Sequence, residues 1–150
     1  MTDATPTPLA GAGPTPTRNI LPLRFADFDT LTDALDYAAA GVTGCNFYDA
    51  RGDLTLALGY ADLRDAALDL ARRFAALDLP RQSRVALVAE TDPDFLCQFF
   101  ACQYAGLVPV PLPAAVHLGG RDAYVRQLKT LLASCAASVA IAPVAFVDML

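Results

Sequence analysis

The sequence is poor in the residues that most often carry chemistry. It has one histidine (His117), one lysine (Lys129) and one glutamate (Glu90), with fifteen aspartates making up the rest of its acidic side chains. General acid–base work by paired glutamates is therefore excluded. A histidine-rich metal centre is excluded too, because metal binding needs convergent ligands and there is a single imidazole. No serine stands in a G-x-S-x-G elbow, and no phosphate loop of the form G-x-x-x-x-G-K-S/T occurs. The ten arginines are scattered, and the net charge is −5. Without a basic stripe, nucleic acid is not an expected partner. The N-terminus lacks the basic and apolar regions of a signal peptide. The longest apolar run, Ala136 to Val147, contains Ser138 and Pro143. It is too short to span a bilayer, so no membrane span is expected. The chain reads as cytoplasmic, where its four cysteines are not expected to form disulfides.

What is present is material for a core. Of the 150 residues, 55% are apolar and 18% charged, a composition that folds and that suits one domain or part of a larger one. Met1 to Thr17 is rich in Pro, Thr, Ala and Gly. Pro6, Pro8, Pro14 and Pro16 each fix φ and remove a backbone donor. Residues 1–24 are read as a disordered leader, with order from Phe25 onward.

Thr30 followed by Asp33 marks a helix start. Leu31, Ala34, Leu35 and Ala38 then share a face, and Gly41 is a natural stop. Asn46-Phe47-Tyr48, a turn over residues 49–53 and the return Leu54 to Leu58 read as a β-hairpin. Leu63, Ala66, Ala67, Leu70, Ala71, Phe74 and Leu77 recur at helical spacing opposite a charged, solvated face. From Arg84 the pattern becomes buried strands alternating with helices. Val85 to Ala89 is a continuous apolar run, as in a strand covered on both faces. Asp92-Pro93 opens a helix, Asp as cap and Pro at the first position. Phe95 to Tyr104 is apolar nearly all round, so that helix is expected to be buried. Gly106 ends it. Leu107 to Leu112 is a second strand, whose Pro109 and Pro111 argue for an edge or an irregular pairing. A helix over residues 122–136 carries Tyr124, Leu128, Leu131, Leu132 and Cys135 as its stripe, and Ser138 to Ala142 is a third strand. The order β-α-β-α-β implies an α/β fold with a mainly parallel sheet and flanking helices behind an N-terminal hairpin. The apolar ending, Val144 to Leu150, suggests a domain interrupted part-way.

Each candidate for chemistry competes with a plainer reading. Gly11-Ala12-Gly13 follows no strand, so it fails as a dinucleotide fingerprint. Cys97 and Cys102 lie on different faces of a helix and, with Cys135, read as core packing; Cys45 flanks a strand. His117 sits in a loop beside Gly119 and Gly120, without a nucleophile or orienting group to make it catalytic. The two glycines suit either loop flexibility or backbone donors for an anion. Glu90, Thr91 and Asp92 follow the carboxyl end of a strand, where open α/β sheets bind ligands. Asp92 is equally a helix cap and Thr91 a turn residue. Lys129 reads as solvated.

Three stretches resemble the adenylate-forming acyl-activating enzymes, and specifically the fatty-acyl-AMP ligases. The first is Asn46-Phe47-Tyr48-Asp49, Arg51-Gly52 and Tyr60-Ala61-Asp62-Leu63. The second, the most specific, runs from Arg84-Val85-Ala86-Leu87-Val88-Ala89-Glu90-Thr91 through Phe99-Phe100-Ala101-Cys102-Gln103-Tyr104-Ala105-Gly106 to Leu107-Val108-Pro109-Val110-Pro111-Leu112-Pro113. The third is Gly119-Gly120 with Ala123-Tyr124 and Gln127-Leu128. On this resemblance residues 25–150 are the N-terminal portion of an AMP-binding domain.

The resemblance implies a two-step chemistry for the whole enzyme. A fatty-acid carboxylate attacks the α-phosphate of ATP, with magnesium, to give acyl-AMP and pyrophosphate. The acyl group then passes to the phosphopantetheine thiol of an acyl carrier protein. Activation is needed because the carboxylate oxygen is a poor leaving group, and the developing charge needs fixed donors and metal. The family's Ser/Thr/Gly-rich loop with its lysine, its aromatic-Gly-x-Thr-Glu segment, its ribose-binding Asp and its C-terminal lysine have no counterpart here. No catalytic, cofactor-binding or metal-binding residue is therefore assigned. The chain alone is expected to be inactive and to bind no cofactor tightly, with the remainder of the adenylation domain as its partner. The alternatives are part of a long-chain acyl-CoA synthetase and a non-catalytic interaction module derived from the family.

Overall fold

A computed structural model describes residues 21–25, 27–89, 91–114 and 120–143. The first twenty positions of the proposed leader, Glu90, His117, Gly119 and the apolar ending lie outside them. Residues 21–24 already make contacts. Arg24 pairs with Asp27 at 2.9 Å and lies 3.9 Å from the centre of the Phe28 ring, while the Tyr37 hydroxyl donates to the Pro22 carbonyl at 2.6 Å.

The first helix, α1 (Leu31–Ala39), starts at a reciprocal cap. Thr30 Oγ1 accepts from the Asp33 N–H and Asp33 Oδ2 accepts from the Thr30 N–H, each at 3.1 Å, which satisfies two of the donors a helix start leaves unpaired. Leu35 and Ala39 are buried, but Leu31 is exposed. Strands β1 (Gly44–Tyr48) and β2 (Leu54–Gly59) form an antiparallel hairpin. Its turn is held by Asp49 Oδ1, which accepts from the N–H groups of Arg51 and Asp53 at 2.8 and 3.0 Å. Gly52 takes a positive φ of 87° there, a conformation that glycine adopts without steric cost.

Helix α2 (Tyr60–Ala75) buries Leu63, Ala67, Ala71 and Phe74, the narrow stripe that 3.6 residues per turn produces. The sequence reading made this face too wide. Ala66 is exposed. Leu77 is 51% exposed because the helix has already ended and the chain turns beyond it.

Strand β3 (Arg84–Ala89) occupies the middle of a three-stranded parallel sheet, between β4 (Val108–Pro113) and β5 (Val139–Ile141). Helix α3 (Pro93–Tyr104) joins β3 to β4, and α4 (Gly120–Cys135) precedes β5. Val85 and Leu87 pack with Ala67, Ala71, Phe74, Ala101, Cys102 and Leu107 on one face. Ala86 and Val88 pack with Leu112, Tyr124 and Leu128 on the other. Covering on both faces is why β3 reads as an unbroken apolar run. The proline-bearing strand β4 stands at the sheet edge among the described residues, as expected of a strand with missing donors.

Helix α3 departs from expectation. Asp92 caps it and Pro93 opens it. Only Ala101 and Cys102 are buried, whereas Phe95, Leu96, Cys97, Phe99 and Phe100 are half-buried. One side of the helix rests on α2 and β3; among the described residues nothing covers the opposite side fully.

Candidate functional site

The carboxyl ends of β3 and β5 and the start of α3 enclose a polar hollow, on the side of the sheet where ligand binding was expected. Its volume is about 310 Å³, and it is lined by Val88, Asp92, Asp94, Phe95, Gln98, Ala142 and Pro143. Asp92 Oδ1 accepts from the Phe95 N–H at 2.7 Å, so it serves as a helix cap. Thr91 is exposed. With Asp94 also in the first turn, two carboxylates already occupy the positive end of the helix dipole. A phosphate brought there meets negative charge, and one of the helix-start donors is already taken.

A second, apolar cavity of about 240 Å³ lies against the face of the sheet that α4 covers, between the strands and that helix. Ala86, Val88, Leu112, Leu128, Leu132, Ala140 and Ala142 line it. The two hollows share Val88 and Ala142, so a polar mouth adjoins an apolar chamber. The small side chains of Ala86, Ala140 and Ala142 create the space. The sequence shows these alanines, but only the sheet register places them side by side.

The remaining candidates are dispersed. Cys102 is buried, and burial pushes its thiol from 9.0 up to about 11. Burial and then the nearby Asp94 push the Cys97 thiol up as well. Neither is a thiolate near neutral pH, which argues against nucleophilic roles. Cys135 is half-buried and bonds the Leu132 carbonyl. Cys45 sits within β1 near Tyr60, whose hydroxyl titrates upward chiefly through a hydrogen bond with that thiol. Gly120 opens α4 with φ +79°, and Lys129 is exposed on the same helix. Among the described residues no three His, Cys, Asp or Glu side chains converge as metal ligands.

One long-range contact had no signal in the sequence. The Tyr104 hydroxyl donates to Asp36 Oδ1 at 2.6 Å, across 68 positions, and ties α3 to α1. Burial first, and then this carboxylate, push the phenol up.

Comparison with known proteins adds the family context. The sequence profile of the AMP-binding enzymes matches residues 47–149. A Caulobacter vibrioides protein named as an acyl-CoA synthetase is 53% identical over 134 residues, which cover 89% of this chain and 23% of that protein. A solved structure from work on fatty acyl-adenylate ligases of E. coli and L. pneumophila superposes with a TM-score of 0.81 at 47% identity, over 85% of this chain and 23% of that one. The adenylation domain of a keto acid-selecting NRPS module shares the fold at TM-score 0.67 and 22% identity, over 80% of this chain and 22% of that one. The chain thus spans about a quarter of the length of the relatives it matches.

Proposed function

Because the chain belongs to the AMP-binding enzyme family, we propose that it is a portion of a cytoplasmic fatty-acyl-AMP ligase, contributing sheet scaffold and one apolar wall of the fatty-acid site. The observation that carries this is the 47% identity and TM-score of 0.81 to a fatty acyl-adenylate ligase structure. In the whole enzyme a fatty-acid carboxylate is converted by ATP to acyl-AMP, and the acyl group is handed to an acyl carrier protein.

We read the described residues as lying outside the ATP site: Asp92 and Asp94 place negative charge where a bare phosphate would meet the start of α3, and no group of three His, Cys, Asp or Glu side chains converges among the described residues. Their part is to bind and exclude water. The alanine-lined cavity matches an alkyl chain, because apolar surface removed from water contributes roughly 25 cal/mol per Å².

The test has two arms. The chain incubated with ATP, magnesium and a long fatty acid is expected to give no acyl-AMP. A chimera of the Caulobacter vibrioides relative, with this chain replacing the matched residues, is expected to form it. Acyl-AMP from the chain alone, or a folded but inert chimera, overturns the proposal. A second reading, part of an acyl-CoA synthetase, is favoured by the name of the 53% identical relative. The thiol acceptor of the chimera decides between the two: coenzyme A supports the second, carrier-protein phosphopantetheine the first.

A further inference from the structure

The short stretch before α1 is fastened to that helix at three points. Residues 21–25 have no regular secondary structure, yet they fold back along α1. Leu21 reaches the far end of the helix, where a β-carbon on Gly41 would lie 3.1 Å from Leu21 Cδ1 and Cγ. One residue on, the Pro22 carbonyl accepts from the Tyr37 hydroxyl at 2.6 Å. Arg24 then lies 3.9 Å from the centre of the Phe28 ring and 5.2 Å from that of Tyr37, a cation held by ring faces. Its guanidinium donates to Asp27 Oδ1 and to the Asp27 carbonyl at 2.9 and 3.1 Å.

This strap explains Gly41 better than the helix end does. Helix α1 closes on Ala40 in a right-handed conformation, and Gly41 takes no positive φ. The left-handed stop that favours glycine is not in use there. What Gly41 supplies is the absence of a side chain beneath Leu21. Elsewhere α1 contacts α2 and α3, through buried Leu35 and Ala39 and through Asp36, which accepts from Tyr104 of α3. Two adjacent residues of one helix therefore make opposite connections: Tyr37 holds the strap and Asp36 holds α3.

We infer that Leu21, Pro22, Arg24 and Phe28 form a latch on α1, with Gly41 as its seat, and that opening the latch loosens α1 and, through the Asp36–Tyr104 bond, the last turn of α3. The polar anchors lie at the surface, where each contributes little alone. The latch therefore opens more readily than the buried sheet. Nothing in this depends on the family reading above.

The experiment follows tryptic cleavage after Arg24, with cleavage after Arg51 in the exposed hairpin turn as the internal reference. Cleavage under native conditions reports how much of the chain is open at that point. In the parent chain Arg24 is expected to be cut more slowly than Arg51. Gly41→Leu fills the seat and is expected to raise the ratio on the order of tenfold. Tyr37→Phe removes a single hydroxyl donor and is expected to raise it about threefold. In both variants single-amide hydrogen exchange is expected to quicken in α1 and at Tyr104, with Val85 and Leu87 of β3 unchanged. If Gly41→Leu also loses protection in β3, Tyr37→Phe, which adds no bulk, decides by the same readouts. A parent cut as fast at Arg24 as at Arg51 overturns the latch, and so does an unchanged ratio in the deciding variant. A raised ratio with α1 and Tyr104 amides unchanged overturns the link to α3.

Discussion

The β1–β2 hairpin and the β3-centred sheet are held by different physics. In the hairpin, Tyr48 and Leu54 are 59% and 55% exposed, and shape comes from local constraints at the turn and at the base. At that base a β-carbon on Gly44 would stand 2.1 Å from the Leu58 carbonyl oxygen, so the two backbones approach as only glycine allows. In the sheet, Leu87 is fully buried between layers, and shape comes from burial. Backbone geometry sustains the first region and removal of apolar surface from water the second. A substitution should therefore damage each by its own route.

The largest effect is expected at the sheet centre. Leu87→Ala leaves a cavity beneath α2 and α3 and is expected to cost about 3 kcal/mol or more, read as a lower urea midpoint for the β3-centred sheet with the hairpin less affected. If the hairpin stayed cooperative with the sheet under that loss, the distinction between the regions would be weaker than argued.

The next test uses pH. Burial raises the Cys102 thiol from 9.0 to about 11, so the folded state holds its proton more tightly than the unfolded state. The associated stability is complete below pH 9 and is lost as pH rises through about 11, in total about 2–3 kcal/mol. Denaturation midpoints across that window should fall more steeply in the parent than in Cys102→Ala. Parallel slopes would show that this thiol is not the group responsible.

The smallest global effect is expected at the hairpin. Gly44→Ala forces the backbones apart, at a local cost of about 1–3 kcal/mol. Amide exchange should quicken in β1 and β2, with β3 and β4 unchanged. Quickening in β3 would mean that the hairpin supports the sheet.

Much of this architecture was legible in the residues. The run Val85 to Val88 announced a strand covered on both faces, Asp92-Pro93 announced the start of α3, and Pro109 and Pro111 announced an edge. The reading failed where environment outweighed pattern. Leu31 and Leu77 fit the helical spacing yet face solvent, because one opens its helix and the other lies past a helix end. Phe95 to Phe100 looked fully enclosed, but a helix can be covered only where another element reaches it.

The sequence by itself determined the order of elements and the parallel character of the sheet, because periodicity and caps are local properties. Tertiary structure alone decided the Tyr104–Asp36 link and the alanine-lined cavity. Each of these depends on which strand or helix lies beside which and in what register, and that is set by packing between residues distant in the chain.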